Sequence, residues 1–270
     1  MIKKYKILII CGNLIKHKYF AIKLLKNFQN SNVIFENYPK NISKNYTLHK
    51  SKILTNHFKK VQFYEKKYFK KFCVKNQNFL KKKTIFSVQR GRINSKKILK
   101  KIEDINPNLI ILNATSLIKK KLIDLYKNKI INVHAGLIPY YRGTGCNVWT
   151  FYNRELEYTG MTVHFVNERI DGGKIICQEQ SNFKINDNTH TVGCENVKLS
   201  LKLCKDAIQY LIKNPNYKGK KILTKKSSIF FKKDFNKSVV LKINELIKSG
   251  LVKKYIKNKK KIKLVKLIKK

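Results

Sequence analysis

"PNLIILNATSLIKKKLIDLYKNKIINVH", residues 107–134, decides the fold. Two short apolar runs, one centred on Leu109–Leu112 and one on Ile130–Val133, flank a lysine-rich stretch that reads as a helix. Each run is nearly continuous rather than alternating, as in strands buried on both faces, and a strand–helix–strand unit of that kind makes a parallel pair.

The same alternation continues outward. "YKILIICG" (5–12) is a strand that turns at Gly12, residues 18–29 carry apolar side chains at helical spacing, and "NVIFENY" (32–38) is a second strand. "TIFSV" (84–88) reads as a strand, and "NSKKILKKIEDI" (94–105) as an amphipathic helix capped by Asn94 or Ser95. Beyond residue 134, "GMTVHFV" (160–166) and "KIICQE" (174–179) are strands joined by "NERIDGG", and 189–213 is a long helix. Residues 40–83 mix helix and loop without finer assignment, and the lysine-dominated end holds one helix near 239–248. The pattern predicts an α/β protein, an open and mostly parallel twisted sheet with helices on both faces.

Composition restricts the reading further. The net charge of +46 comes from 61 Lys plus Arg, of which only Arg90, Arg92, Arg142, Arg154 and Arg169 are arginines. Base-edge and bidentate phosphate recognition favours arginine. The charge therefore fits a compositional drift toward lysine better than a selected polyanion surface, and a nucleic-acid partner is disfavoured. The six cysteines are scattered without zinc or C-x-x-C spacing, which suits free thiols in a reducing cytoplasm and no metal. No apolar run reaches 18 residues, so no membrane span is expected.

One window resists the lysine bias. Residues 131–180 hold one lysine and a net charge of 4 − 5 = −1. They also hold six of the eleven glycines and the single tryptophan, Trp149. A pressure that lands everywhere else and misses one window implies geometry or chemistry to protect. Asn132 and His134 close a strand on the same face, and Asp171 follows the next strand in a Gly172–Gly173 turn. In an open parallel sheet, ligands sit beyond the carboxyl ends of the strands. An amide, an imidazole and a carboxylate can therefore converge there. Ser116 and Cys146 lack a nucleophile-elbow motif, so the trio suits acyl transfer between two bound small molecules. Asn132 and His134 can donate to the developing oxyanion. Asp171 can favour the charged imidazole, fix its tautomer, and hold the water that takes the amine's proton. His164, inside "TVHFV", reads as a structural strand residue, and Trp149 and Tyr152 as helix-face packing.

"NVHAGLIPYYRGTG" and "YTGMTVHFVNERIDGGKII" together resemble the signature of the folate-dependent formyltransferases. That family includes glycinamide ribonucleotide, methionyl-tRNA and nucleotide-sugar N-formyltransferases. The likeness is close over 131–180 and looser back to Met1. It implies a Rossmann-like catalytic domain over 1–215, followed by a lysine-rich extension or small module at 216–270. It implies N10-formyltetrahydrofolate as co-substrate, and catalytic roles for Asn132, His134 and Asp171. Thr115, Ser116, Leu117 and Ile118 match the segment lining the pterin pocket. Arg142, Gly143 and Asn147 fall on the acceptor side, where Arg142 either binds an acceptor phosphate or pins the loop. "CGNLIKHKYF" keeps only Gly12 and Asn13 of the phosphate loop of the glycinamide ribonucleotide branch, and about 55 residues are thin for the C-terminal barrel of the tRNA branch. "YYRGTGCNVWTF" is closer to the sugar-amine branch. The expected acceptor is therefore a small primary amine, an amino sugar first. A divergent methionyl-tRNA enzyme, with RNA on its basic surface, or a glycinamide ribonucleotide enzyme is the alternative. A homodimer is compatible with this reading.

Overall fold

The structure, a computed structural model, describes residues 5–38 and 51–267. Seven strands form the main sheet: β1 (Ile7–Gly12), β2 (Ser31–Asn37), β3 (Thr84–Gln89), β4 (Leu109–Asn113), β5 (Ile130–His134), β7 (Gly160–Phe165) and β8 (Ile175–Gln180), in the order β3-β2-β1-β4-β5-β7-β8. A second, two-stranded sheet pairs β6 (Tyr141–Gly143) with β9 (Ser228–Phe230). The helices are α1 (Ile15–Asn27), α2 (Lys52–Lys75), α3 (Gln77–Lys83), α4 (Lys96–Ile105), α5 (Lys120–Leu125), α6 (Cys146–Tyr152), α7 (Thr189–Lys213), α8 (Lys237–Lys248) and α9 (Leu251–Lys257).

The expected strands and long helices are present, with two differences of direction and length. From β3 to β5 every pairing is parallel, but β7 pairs antiparallel with both β5 and β8; a short loop joins β7 to β8, whereas the segment from β5 to β7 carries β6 and α6. The helix read over 117–128 shrinks to α5, because residues 114–119 are held as an extended loop by side chains from other strands. Ser95 occupies the N-cap of α4 but makes no capping bond. Asn94 instead reaches the Leu117 carbonyl and the Lys119 N–H, both at 2.8 Å. Of the unassigned stretch 40–83, residues 40–50 lie outside the described residues, and α2 and α3 fill nearly all of the rest.

All six residues of β1 are buried, and so are the six of β7, next to the edge strand β8. One apolar layer joins β1, β2, β5, β7 and β8 to α1 and α7, and the other joins β1, β2 and β4 to α4 and α5. A third cluster covers the loop after β5. It packs Leu137, Tyr140, Tyr141 and Trp149 with Val239, Ile243, Val252, Tyr255 and Val265 from the lysine-rich end. Residues 216–267 thus lay apolar side chains over that loop while their lysines face outward. No helix among the described residues is long and apolar enough to cross a membrane.

The α2–α7 contact carries a titratable pair. His57 and His190 lie ring to ring at 4.9 Å, with Phe235 and Tyr64 beside them. Burial pushes both imidazoles down to about 4, and Lys60 adds to the effect. Below pH 6.5 the unfolded chain takes up protons that the folded chain refuses, so stability falls from there toward pH 4 and then levels. For two partly screened rings the loss is on the order of 3 kcal/mol. Urea midpoints from about pH 7 to about pH 4 check this. The decline should be shallower in His190→Gln, and an equal decline in both proteins would refute the assignment.

Candidate active site

The register of the sheet builds the site. β5 ends at the carboxyl edge, and its neighbour β7 runs the opposite way, so Asn132 sits directly across from His164, and His134 across from Thr162. The turn after β7 then returns Asp171 to the same edge. Asp171 adopts a left-handed φ of 45°, and the turn closes only because Gly173 lacks a Cβ, which would lie 1.6 Å from the Phe165 carbonyl oxygen.

Asp171 is the hub. Its Oδ1 accepts from Asn132 Nδ2 at 3.3 Å and lies 3.5 Å from His164 Nε2. Its Oδ2 accepts from the Gly143 N–H at 2.8 Å and lies 3.4 Å from His134 Nδ1. Asn132 Nδ2 also meets His164 Nε2 at 3.2 Å. His164 Nδ1 faces the Phe165 carbonyl at 2.8 Å, so the tautomer with hydrogen on Nδ1 leaves Nε2 free to accept from Asn132. The three residues singled out from sequence therefore converge. His164, read as structural, stands among them. It enters because the antiparallel register of β7 sets it opposite Asn132.

Burial alone would raise the Asp171 carboxyl. The imidazoles of His134 and His164 and the Gly143 N–H together outweigh it and hold the group below the usual carboxylate range. For His134 the balance goes the other way. Its ring is buried, and that desolvation lowers its pKa, although Asp171 pulls the other way and favours the charged form. The ring stands between two acceptors, with Nε2 3.1 Å from the Tyr141 carbonyl and Nδ1 facing Asp171. Either neutral tautomer leaves one lone pair against an acceptor, and taking up a proton supplies both with a donor. Burial pushes the Cys146 thiol up, which removes it as a nucleophile.

The remaining candidates divide. Gly143 joins the trio through its N–H. Arg142 lies on β6 with its Nε buried and unpartnered. Asn147 turns toward β7, where its Oδ1 accepts from the Gly160 N–H at 3.1 Å. Trp149 is packed against Phe230, ring to ring at 4.6 Å, in keeping with its reading as packing. Thr115 to Ile118 form the loop that leaves β4, and β4 pairs with β5 so that Leu112 is level with Asn132. Leu117 is 68% exposed there, and Ile118 leans on the core. Among the described residues, no group of three or more His, Cys, Asp or Glu side chains could hold a metal ion.

The chain is thus an α/β protein whose Asn–His–Asp cluster stands at the carboxyl edge of β5, beside the loop that leaves β4. The family model described as formyl transferase matches residues 29–202, and the chain belongs to that family. A methionyl-tRNA formyltransferase of Clostridioides difficile (strain 630) is 29% identical over 126 residues, 44% of this chain and 40% of that protein, so the match spans less than half of that relative. Phosphoribosylglycinamide formyltransferase from Anaplasma phagocytophilum superposes with a TM-score of 0.59 at 16% identity, over 85% of this chain and 99% of that one. The N-formyltransferase from Helicobacter canadensis, solved with folinic acid and dTDP-3-aminofucose, gives 0.53 at 22% identity, over 87% of this chain and 73% of that one. At these identities the structural likeness is one of fold.

Proposed function

We propose that this chain transfers a formyl group from N10-formyltetrahydrofolate to the primary amine of a small-molecule acceptor, with an amino sugar as the first candidate. The observation that carries this reading is the meeting of Asn132, His134 and His164 on Asp171 at the ligand edge of the sheet. The acceptor amine attacks the formyl carbon, and negative charge develops on the formyl oxygen. Asn132 Nδ2–H and a His134 N–H meet that charge, and their bonds of 3.1–3.4 Å in the resting site are long enough to shift toward a substrate. The amine's proton leaves through a water ordered by Asp171 and is returned to the departing donor nitrogen. One C–N bond forms and one breaks, without net proton change.

The residues at 115–118 fit a folate ring. The Ser116 N–H and the Thr115 and Leu117 carbonyls are taken up by other side chains, whereas no described residue accepts from the N–H groups of Leu117 and Ile118. Those N–H groups are the ones free to meet the edge of a heterocycle. On the acceptor side the unpartnered Arg142 Nε favours an anionic group on the amine substrate. The fold's likeness to a formyltransferase solved with a dTDP-amino sugar supports the same choice. Similarity to methionyl-tRNA formyltransferases favours a second reading, a tRNA acceptor held on the basic surface. Steeply salt-dependent RNA binding would distinguish it.

Calorimetry with 5-formyltetrahydrofolate, followed by tetrahydrofolate release with a panel of amines, tests the proposal. Binding together with release that depends on one class of amine is the expected result. A wild-type protein that binds no folate sinks the reading.

A further inference from the structure

Glu36, near the end of β2, is a carboxylate with no solvent exposure. A charge buried in this way must be met by donors. Its Oε1 accepts from Ser116 Oγ at 2.6 Å and from the Gly91 N–H at 3.2 Å, and its Oε2 accepts from the Ser116 N–H at 2.5 Å. Arg90 Nη1 lies 4.0 Å from Oε2. Arg90 then donates to the Ala114 carbonyl at 2.9 Å and to the Thr115 carbonyl at 3.1 Å, with its guanidinium 4.4 Å from the centre of the Tyr38 ring. The Tyr38 N–H reaches Asn13 Oδ1 at 3.2 Å. The loops leaving β1, β2, β3 and β4 are thereby tied together at the carboxyl edge of the sheet. The tie holds Ala114 at φ 56°, a conformation that a residue with a side chain rarely adopts unless its surroundings impose it.

We propose that Glu36, acting through Ser116 and Arg90, is a positioning residue for the donor substrate, setting the backbone of residues 114–118 against which the folate ring docks. The inference rests on the folate reading above. Its chemical basis is that donors converge on both carboxylate oxygens. A glutamine at 36 would turn an NH2 group toward at least one of them, so an isosteric amide cannot keep the loop in place.

The test uses the full chain as wild type, Glu36→Gln, Arg90→Lys and Ser116→Ala. Two quantities are read: the Kd for 5-formyltetrahydrofolate, and hydrogen exchange of the backbone amides at 113–119. Glu36→Gln and Arg90→Lys are expected to weaken folate binding about tenfold, and Ser116→Ala by less. Exchange at 113–119 should quicken, while the KM of any amine found active stays at its wild-type value. A purely structural role would lower Tm and leave the Kd of the folded protein alone. A folded Glu36→Gln protein with wild-type Kd overturns the inference. If Glu36→Gln does not fold, Arg90→Lys and Ser116→Ala decide it in the same way. Wild-type protein that binds no folate overturns the folate reading and the positioning role with it. In that case quickened exchange in Glu36→Gln would still show that the carboxylate orders the loop, which separates the two failures.

Discussion

Asp171→Asn is expected to lower kcat by roughly 10³-fold while leaving the fold and the affinity for 5-formyltetrahydrofolate close to wild type. The size of the effect follows from the bonds around the carboxylate. Asn132 Nδ2 and His164 Nε2 face one oxygen, and the Gly143 N–H and His134 Nδ1 face the other. An asparagine has a single acceptor oxygen, so either amide orientation turns an NH2 group against a donor. No flip relieves this. The side chain keeps its volume, so the apolar packing and the overall fold are preserved, while the turn at 171 loosens locally and the loss falls on the chemistry. A second readout follows from the electrostatics. Asp171 opposes the burial that lowers the His134 pKa, and without the charge His134 titrates lower still. The acid limb of the kcat/KM profile should therefore move to lower pH in the residual activity. Stopped-flow release of tetrahydrofolate under saturating substrates measures the first effect. A fall of less than about tenfold would mean that Asp171 is a turn residue and no more.

Gly143→Ala is expected to damage both stability and activity. Gly143 has φ +89°, a conformation strained for alanine, and a Cβ there would lie 2.1 Å from the Phe230 carbonyl oxygen. That atom belongs to the backbone of β9, so it cannot swing aside as a side chain would. Relief requires β6 to part from β9, and the two strands are joined in register from Tyr141–Ser228 to Gly143–Phe230. Overpacking and backbone strain together suggest a loss of about 2–5 kcal/mol. The same displacement pulls the Gly143 N–H from Asp171, where it donates at 2.8 Å. Urea unfolding and turnover measured on one preparation check the prediction. Unchanged midpoint and unchanged rate would show that the β6–β9 contact is looser than its geometry implies.

These two sites also mark how far the chain could be read without its structure. The parallel half of the sheet was legible because a strand buried on both faces must be apolar throughout, and lysine drift cannot enter it. Asn132 and His134 were legible because a polar pair closing such a strand sits at the ligand edge in any open α/β sheet. Asp171 was legible from Gly172–Gly173 in a lysine-free turn. The burial that lowers the His134 pKa was not legible, because local sequence says which carboxylate can approach an imidazole but not how dry the ring becomes.

By itself the sequence determined the α/β class, the order of the long elements and the Asn–His–Asp trio, because each depends on local periodicity or on position along one strand. Tertiary structure alone decided the rest. His164 entered the site through an antiparallel register, Glu36 became the centre of a four-loop tie through donors as far away as Ser116, and Phe230 closed on Gly143 across 87 residues of chain. Register, burial and contacts between distant segments arise only when the whole chain has packed, so no stretch of residues carries them alone.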